Sequence, residues 1–363
     1  MLQIFSQWLR LFLLTQKGRW IMKAFFNNGF NNHLKPFLTK LQLPLRKVNQ
    51  DYSYRFYLYP WKTEGMIFLT TALLIPLLFL FIFRFALKMS TSTPVIDNSY
   101  LQLIYWAITL GSATIGFYQF YHRDKQLFLK SGTFVFYCFI LVPNLISFAV
   151  TLIASLAGVD NNSPVAPFLT IWSQILAEVL VLFLAFRFTT NLKNRLLTTL
   201  KENWLMVLIV VVISAGVLFG LTQGAYQAIF KNTPLSLNEQ SKNQQGLENG
   251  LETGLHPLAY RIFYAFSLFV LTIVVAPLCE EIATRNAWFT GVGNKTLGLV
   301  TTALFFGILH TQTGDVEHIL NYVLAGLILG SIFLVGRGNV TYDWLTHATY
   351  NLVVLIIMFS QKF

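Results

Sequence analysis

Between Trp204 and Phe230 the chain runs for 27 residues without a charged side chain. An α-helix rises 1.5 Å per residue, so this run covers about 40 Å, more than the roughly 30 Å of a bilayer's hydrocarbon core. In hydrocarbon each backbone N–H and C=O must find its partner within the segment, which leaves the helix as the fold for an isolated apolar run. The pattern repeats at 65–87, 100–121, 132–157, 168–187, 204–230, 257–284, 319–336 and 339–359, with a shorter stretch at 296–310. These runs predict an all-α, polytopic transmembrane bundle of about eight to nine membrane helices. With 55% of its residues hydrophobic and 11% charged, the chain is unlike an ordinary soluble globule.

The net charge of +11 raises nucleic acid as a partner, but the basic residues follow the connections instead of one soluble domain. If the N-terminus is cytosolic, the segments 1–64, 122–131, 187–203, 285–295 and 337 share its side and hold 20 of the 26 Lys and Arg. The expected localisation is therefore the cell membrane, multi-pass, with a cytosolic N-terminus and the lipid bilayer as the charged partner. No nucleic-acid role is expected. Residues 1–64 read either as an interfacial helix or as a basic tail, with no cleavable signal expected. Residues 65–230 hold the N-terminal membrane helices. The Asn-, Gln- and Gly-rich segment 231–256 reads as a flexible extracytosolic loop, and 257–360 as a second membrane unit. The two cysteines, Cys138 and Cys279, lie in apolar helices and read as packing residues.

Polar residues inside such helices are costly unless paired or used. The front half has one conspicuous case, Glu178 in WSQILAEVLVLFLAF, for which a helix contact is the simpler reading. The back half has three constellations: Glu280-Glu281 with Arg285, Phe306 with His310, and His347 with Asn351. Each has a helical repeat. Glu281 and Arg285 stand at i and i+4 with the acid first, the favourable order for an ion pair. Glu280 is turned about 100° away, so it is the carboxylate free to face a cavity. Measured from expected cytosolic ends near Gly291, Thr296 and Gly338, Glu280, His310, His347 and Asn351 fall at depths of about 14 to 21 Å, one slab opening to the cytosol.

The groups suggest hydrolysis. A carboxylate in a low-dielectric cavity suits a general base for water, and His310 can hold that water or shuttle its proton. His347 and Asn351, one turn apart, suit an oxyanion. EExxxR, FxxxH and HxxxN in this order resemble the three motifs of the CPBP family, the intramembrane proteases related to the eukaryotic CAAX prenyl endopeptidase and to bacteriocin self-immunity proteins. The resemblance covers roughly 257 to 356. It implies that Glu280 and His310 activate water, that His347 and Asn351 form the oxyanion site, and that Glu281 and Arg285 complete the first motif. The implied activity is that of an intramembrane endopeptidase acting on a membrane-associated peptide or protein, in peptide processing or bacteriocin self-immunity. Metal use stays open: Glu280, His310 and His347 could ligate zinc, although HExxH is absent and a metal-free glutamate mechanism accounts more naturally for the Asn351 donor. Two other classes remain. A proton-coupled transporter would need matched inverted halves, which the sequence lacks. A non-catalytic immunity or binding protein would keep its function without Glu280.

Overall fold

A computed structural model of the chain describes residues 54–160, 163–233, 235–237, 240–251 and 256–362. The reading of 1–64 as an interfacial helix or tail therefore falls almost wholly outside the described residues. Among the described residues twelve helices follow one another: α1 (Trp61–Ala86), α2 (Asn98–Arg123), α3 (Lys125–Ser131), α4 (Phe134–Leu156), α5 (Ala166–Phe188), α6 (Leu192–Glu202), α7 (Trp204–Phe230), α8 (Lys242–Glu248), α9 (Leu258–Val292), α10 (Lys295–His310), α11 (Val316–Val335) and α12 (Val340–Lys362). There is no strand among the described residues. Six helices, α1, α4, α5, α7, α9 and α11, are long and apolar enough to cross a bilayer, which makes this a multi-pass membrane protein. Helices α2 and α12 have the length, but polar residues thin their apolar character. In α12 these include Asp343, His347 and Asn351. Leucine, isoleucine and phenylalanine side chains crowd the outer faces, as at Phe148 and Ile153 of α4 and Leu208 and Ile213 of α7. A lipid surround requires such faces.

The loop-facing ends sort into two groups. At one end Arg123 pairs with Glu64 at 3.0 Å, the Thr190 N–H donates to the Lys130 carbonyl, Lys295 lies over the Phe56 ring, and Asn339, just before α12, donates to Thr199 of α6. At the other, Arg84 pairs with Glu317, the Lys242 N–H donates to Asp315, and the Tyr260 hydroxyl donates to the Pro164 carbonyl. The segments that the basic residues marked as one side do meet.

Two stretches differ from the sequence reading. Residues 285–292, grouped with the connections in the sequence, are helical and buried. Helix α9 runs 35 residues to Val292, and every residue from Glu281 to Val292 is buried, Arg285 completely. The cause is aromatic packing, most of it from the front half: the Trp288 ring lies 5.2 Å from Phe68 of α1 and 5.0 Å from Phe136 of α4, and 4.8 Å from Phe305 of the neighbouring α10. Arg285 thus leaves the set of surface-facing basic residues. The helix stops at Gly293, whose positive φ of 66° is a left-handed cap and whose Cβ, if present, would collide with the Tyr59 carbonyl. The polar segment read as a flexible loop carries α8, and is fastened by Ser241 to Tyr322 and by Glu248 to Lys362.

Prolines shape the two helices at the centre. Before Pro277 in α9 the backbone winds one wide turn over Val270–Val275, where the Ala276 N–H reaches five residues back to Leu271. Pro277 has no N–H, so in that register the Thr272 carbonyl loses its partner. Helix α1 repeats the device. A wide turn at Thr70–Leu74 precedes Pro76, the Ile75 N–H bonds back to Thr70, and the Thr71 carbonyl is left over. Each spare carbonyl takes a side chain from another helix: Ser112 of α2 donates to Thr71 at 2.7 Å, and Asn351 of α12 donates to Thr272 at 2.9 Å.

Candidate active site

The three motifs come together where α9, α10 and α12 pack. Glu281 and Arg285 form the expected pair on α9, Nε to Oε2 at 3.1 Å, with both side chains inaccessible. The remaining guanidinium contacts are local: Nη1 donates to Thr284 Oγ1 at 2.7 Å and to Thr302 Oγ1 of α10 at 3.0 Å. Glu281 also meets α12, where His347 Nδ1 lies 3.0 Å from Oε1. A carboxylate only accepts, so Nδ1 carries the hydrogen and Nε2 is the ring nitrogen turned away from Glu281.

His310 ends α10, and its Nδ1 lies 2.9 Å from the Phe306 carbonyl one turn back. A carbonyl likewise only accepts, so His310 also keeps Nε2 free. Its ring is held between Phe306 and Tyr322, each 4.5 Å away between centroids. Tyr322 is brought there by close packing of α11 on α10, which Gly326 permits: a Cβ at that position would sit 2.8 Å from the Ala303 Cα. Phe306 does more than share a motif with His310. Its ring also faces the Arg285 guanidinium at 5.2 Å and the His347 ring at 5.7 Å, so one aromatic side chain touches all three motifs.

Glu280 stands apart. Oε2 is buried and makes no hydrogen bond, while His347, Glu281 and Arg285 are its electrostatic neighbours. No hydrogen bond or ion pair joins it to His310, nor His347 to Asn351, among the described contacts. Asn351 spends one amide N–H on Thr272 and has a second. Among the described residues no three His, Cys, Asp or Glu side chains gather closely enough to hold a metal ion. Glu178 belongs to these surroundings. It is 2% exposed, Gln174 donates to its Oε1 at 2.6 Å, Oε2 has no partner, and Glu280 is an electrostatic neighbour.

Sequence reasoning passed over two residues. Asp343, one turn before His347, is fully buried, and neither of its carboxyl oxygens has a hydrogen-bond partner. Arg195 of α6 brings the front half to the site: Nη2 bonds Asn286 Oδ1, its guanidinium lies over the Tyr54 ring, and Asp343 is an electrostatic neighbour. Burial lowers Arg195 to about 10, with Tyr54 and Asp343 acting in the opposite sense, so it stays cationic at neutral pH. A carboxylate four residues before the motif histidine, and an arginine in the amphipathic connection LKNRLLTTLKE, were the available signals. A cavity of about 340 Å³ lies elsewhere, between α4 and α5, lined in part by Ser147, Thr151, Thr170 and Ser173.

Residues 262–353 match the family model of the Rce1-like type II CAAX prenyl endopeptidases, a span that holds all of these motif residues. An uncharacterized protein of Mycoplasma capricolum is 34% identical over 323 residues, 87% of this chain and 93% of that one. That length extends the likeness well into the front half. No solved structure matches.

Proposed function

The chain belongs to the Rce1-like family of CAAX-type intramembrane proteases, and from that premise we propose that it hydrolyses a peptide bond of a membrane-associated peptide or protein. The observation that carries this reading is the contrast between the paired carboxylates: Glu281 is tied to Arg285 and His347, whereas Oε2 of Glu280 has no partner. In the proposed reaction Glu280 takes a proton from water as the oxygen adds to the scissile carbonyl, and His310 Nε2 accepts that water's second hydrogen. The oxyanion is met by the second N–H of Asn351 and by His347. To donate from Nε2 the His347 ring must carry its second proton, and Glu281 on the Nδ1 side supplies the counter-charge. Collapse of the intermediate breaks the C–N bond, and the departing amine takes the proton held by Glu280. No step requires a metal. Arg285 and Phe306 keep the three helices in register.

The orientation belongs to the same proposal: the end carrying Arg123, Lys130 and Lys295 faces the cytosol. A cysteine placed between 240 and 250 is then labelled by an impermeant reagent on intact cells, and labelling only after lysis reverses the orientation. The activity is tested with purified protein in proteoliposomes and two quenched fluorogenic peptides, one ending in a prenylated CaaX tail and one a lipid-free transmembrane segment. Wild type is expected to cleave at least one, and Glu280→Gln with His310→Ala to cleave neither. Undiminished cleavage by that double variant refutes the protease reading.

A further inference from the structure

His310 is the last residue of α10, where no following turn of the helix holds a side chain in place. Its Nδ1 bond to the Phe306 carbonyl fixes which nitrogen carries the hydrogen, but a single bond leaves the ring able to rock about that contact. The two aromatic faces limit the rocking. Phe306 belongs to the same helix and moves with it. Tyr322 comes from α11 and lies nearly parallel to the imidazole, with 21° between the planes. The aim of His310 Nε2 therefore depends on where the Tyr322 ring is held.

That ring is held from α8. The Tyr322 and Ser241 hydroxyls are 2.9 Å apart. Ser241 directly precedes α8 and accepts the Gln244 N–H at 3.3 Å, as a helix cap does. Lys242 then gives its backbone N–H to Asp315 Oδ2 at 3.0 Å, and Asp315 Oδ1 accepts the Thr313 hydroxyl at 2.7 Å. Thr313 and Asp315 lie in the turn that leads from His310 into α11, so the contacts close a circuit: His310, the turn, α8, Tyr322 and back to His310. The far end of α8 is tied to the end of α12, Glu248 to Lys362 at 3.2 Å. We propose that Tyr322 is a positioning residue for His310, and that Ser241 sets Tyr322, so that the polar segment carrying α8 takes part in aiming the histidine. A reacting group held by a second layer of locked side chains is a general requirement of precise sites. The effect on turnover rests on the protease reading; the effect on the His310 ring does not.

Tyr322→Phe and Ser241→Ala keep the stacked ring and remove the bond between the hydroxyls, Tyr322→Leu removes the ring, and Ser241→Thr keeps both hydroxyl and cap. The first readout is the ¹H–¹³C spectrum of the imidazoles in histidine-labelled protein in nanodiscs, with the His310 signals identified by their loss in His310→Gln. Wild type and Ser241→Thr are expected to give one sharp set of signals, displaced by the stacked rings. Tyr322→Phe and Ser241→Ala should broaden and shift that set, and Tyr322→Leu should shift it furthest. The second readout is cleavage of the fluorogenic peptides with KM unchanged. The value of kcat should fall about tenfold in Tyr322→Phe and in Ser241→Ala and about a hundredfold in Tyr322→Leu, the scale of a misplaced catalytic group. The double variant Tyr322→Phe, Ser241→Ala should lose no more than either single variant, since all three lose the same bond. Wild-type His310 signals in a folded Tyr322→Phe overturn the proposal, whatever stability that variant has lost. Losses that add in the double variant overturn it as well, because the two hydroxyls then act apart. If Tyr322→Leu does not fold, the variants that keep the ring decide. If even wild type cleaves neither peptide, the protease reading fails and the ring spectra still decide whether Ser241 and Tyr322 hold His310.

Discussion

Helices α1 and α9 solve the same problem with different residues. Each contains a proline, each takes a wide turn before it, and each leaves a carbonyl without its helical partner, Thr71 in α1 and Thr272 in α9. In α1 the carbonyl is met by Ser112, whose hydroxyl has one hydrogen and spends it there. In α9 it is met by Asn351, whose amide has two. The serine completes a structural joint, alongside Thr71 Oγ1 and the Tyr137 hydroxyl at 3.0 Å. The asparagine completes a joint and keeps a donor in hand at a fixed position. A buried carbonyl that must be satisfied is thus also an anchor: it holds the amide so that the other N–H points in one direction only. On the proposed reading, the same fold device is inert in the front half and poised for chemistry in the back.

The sharpest way to break this comparison is Asn351→Ala. It removes both donors, so turnover should fall by about 10²–10³, the usual loss for one oxyanion donor, and stability by roughly 1–3 kcal/mol for the carbonyl left unpaired. Peptide cleavage and thermal unfolding measure the two parts, and unchanged turnover would reduce Asn351 to the role of Ser112. Pro277→Ala sharpens it. The restored N–H lets α9 satisfy its own carbonyl and releases Asn351, so kcat should drop about tenfold through lost orientation while stability holds or rises. If Pro277→Ala keeps full activity, the anchor does not matter. The smallest effect on activity belongs to Ser112→Ala, with a stability loss of about 1–3 kcal/mol and a kcat per folded molecule equal to wild type. A specific loss of turnover there would mean that the front-half joint is not inert.

What was legible in the sequence was local or repetitive. Apolar runs such as 132–157 and 204–230 announced their helices because length and absence of charge suffice. The Glu281–Arg285 pair and the Phe306–His310 pair were legible because a helix brings i and i+4 together wherever it is placed. The Thr272–Asn351 bond was not, since it depends on a carbonyl freed by Pro277 and a side chain 79 residues away. Nor was the reach of Phe306 to Arg285 and His347, which only helix packing decides. Arg285 and Asn286 made residues 285–295 look like a surface connection, and the Gln- and Asn-rich composition of α8 made it look like a loop. In both, polar composition spoke for water, while Phe68, Phe136 and Tyr322 supplied protein partners instead.

The division between Glu280 and Glu281 is the centre of the account, and paired Gln variants test it most directly. Purified Glu280→Gln should be as abundant and as heat-stable as wild type yet fail to cleave the fluorogenic peptides. Glu281→Gln removes one member of a buried ion pair and should lose about 3–5 kcal/mol of stability, so its defect appears first as lost protein. Full activity in Glu280→Gln, or a stable and inactive Glu281→Gln, would contradict the assignment of the free carboxylate as the base.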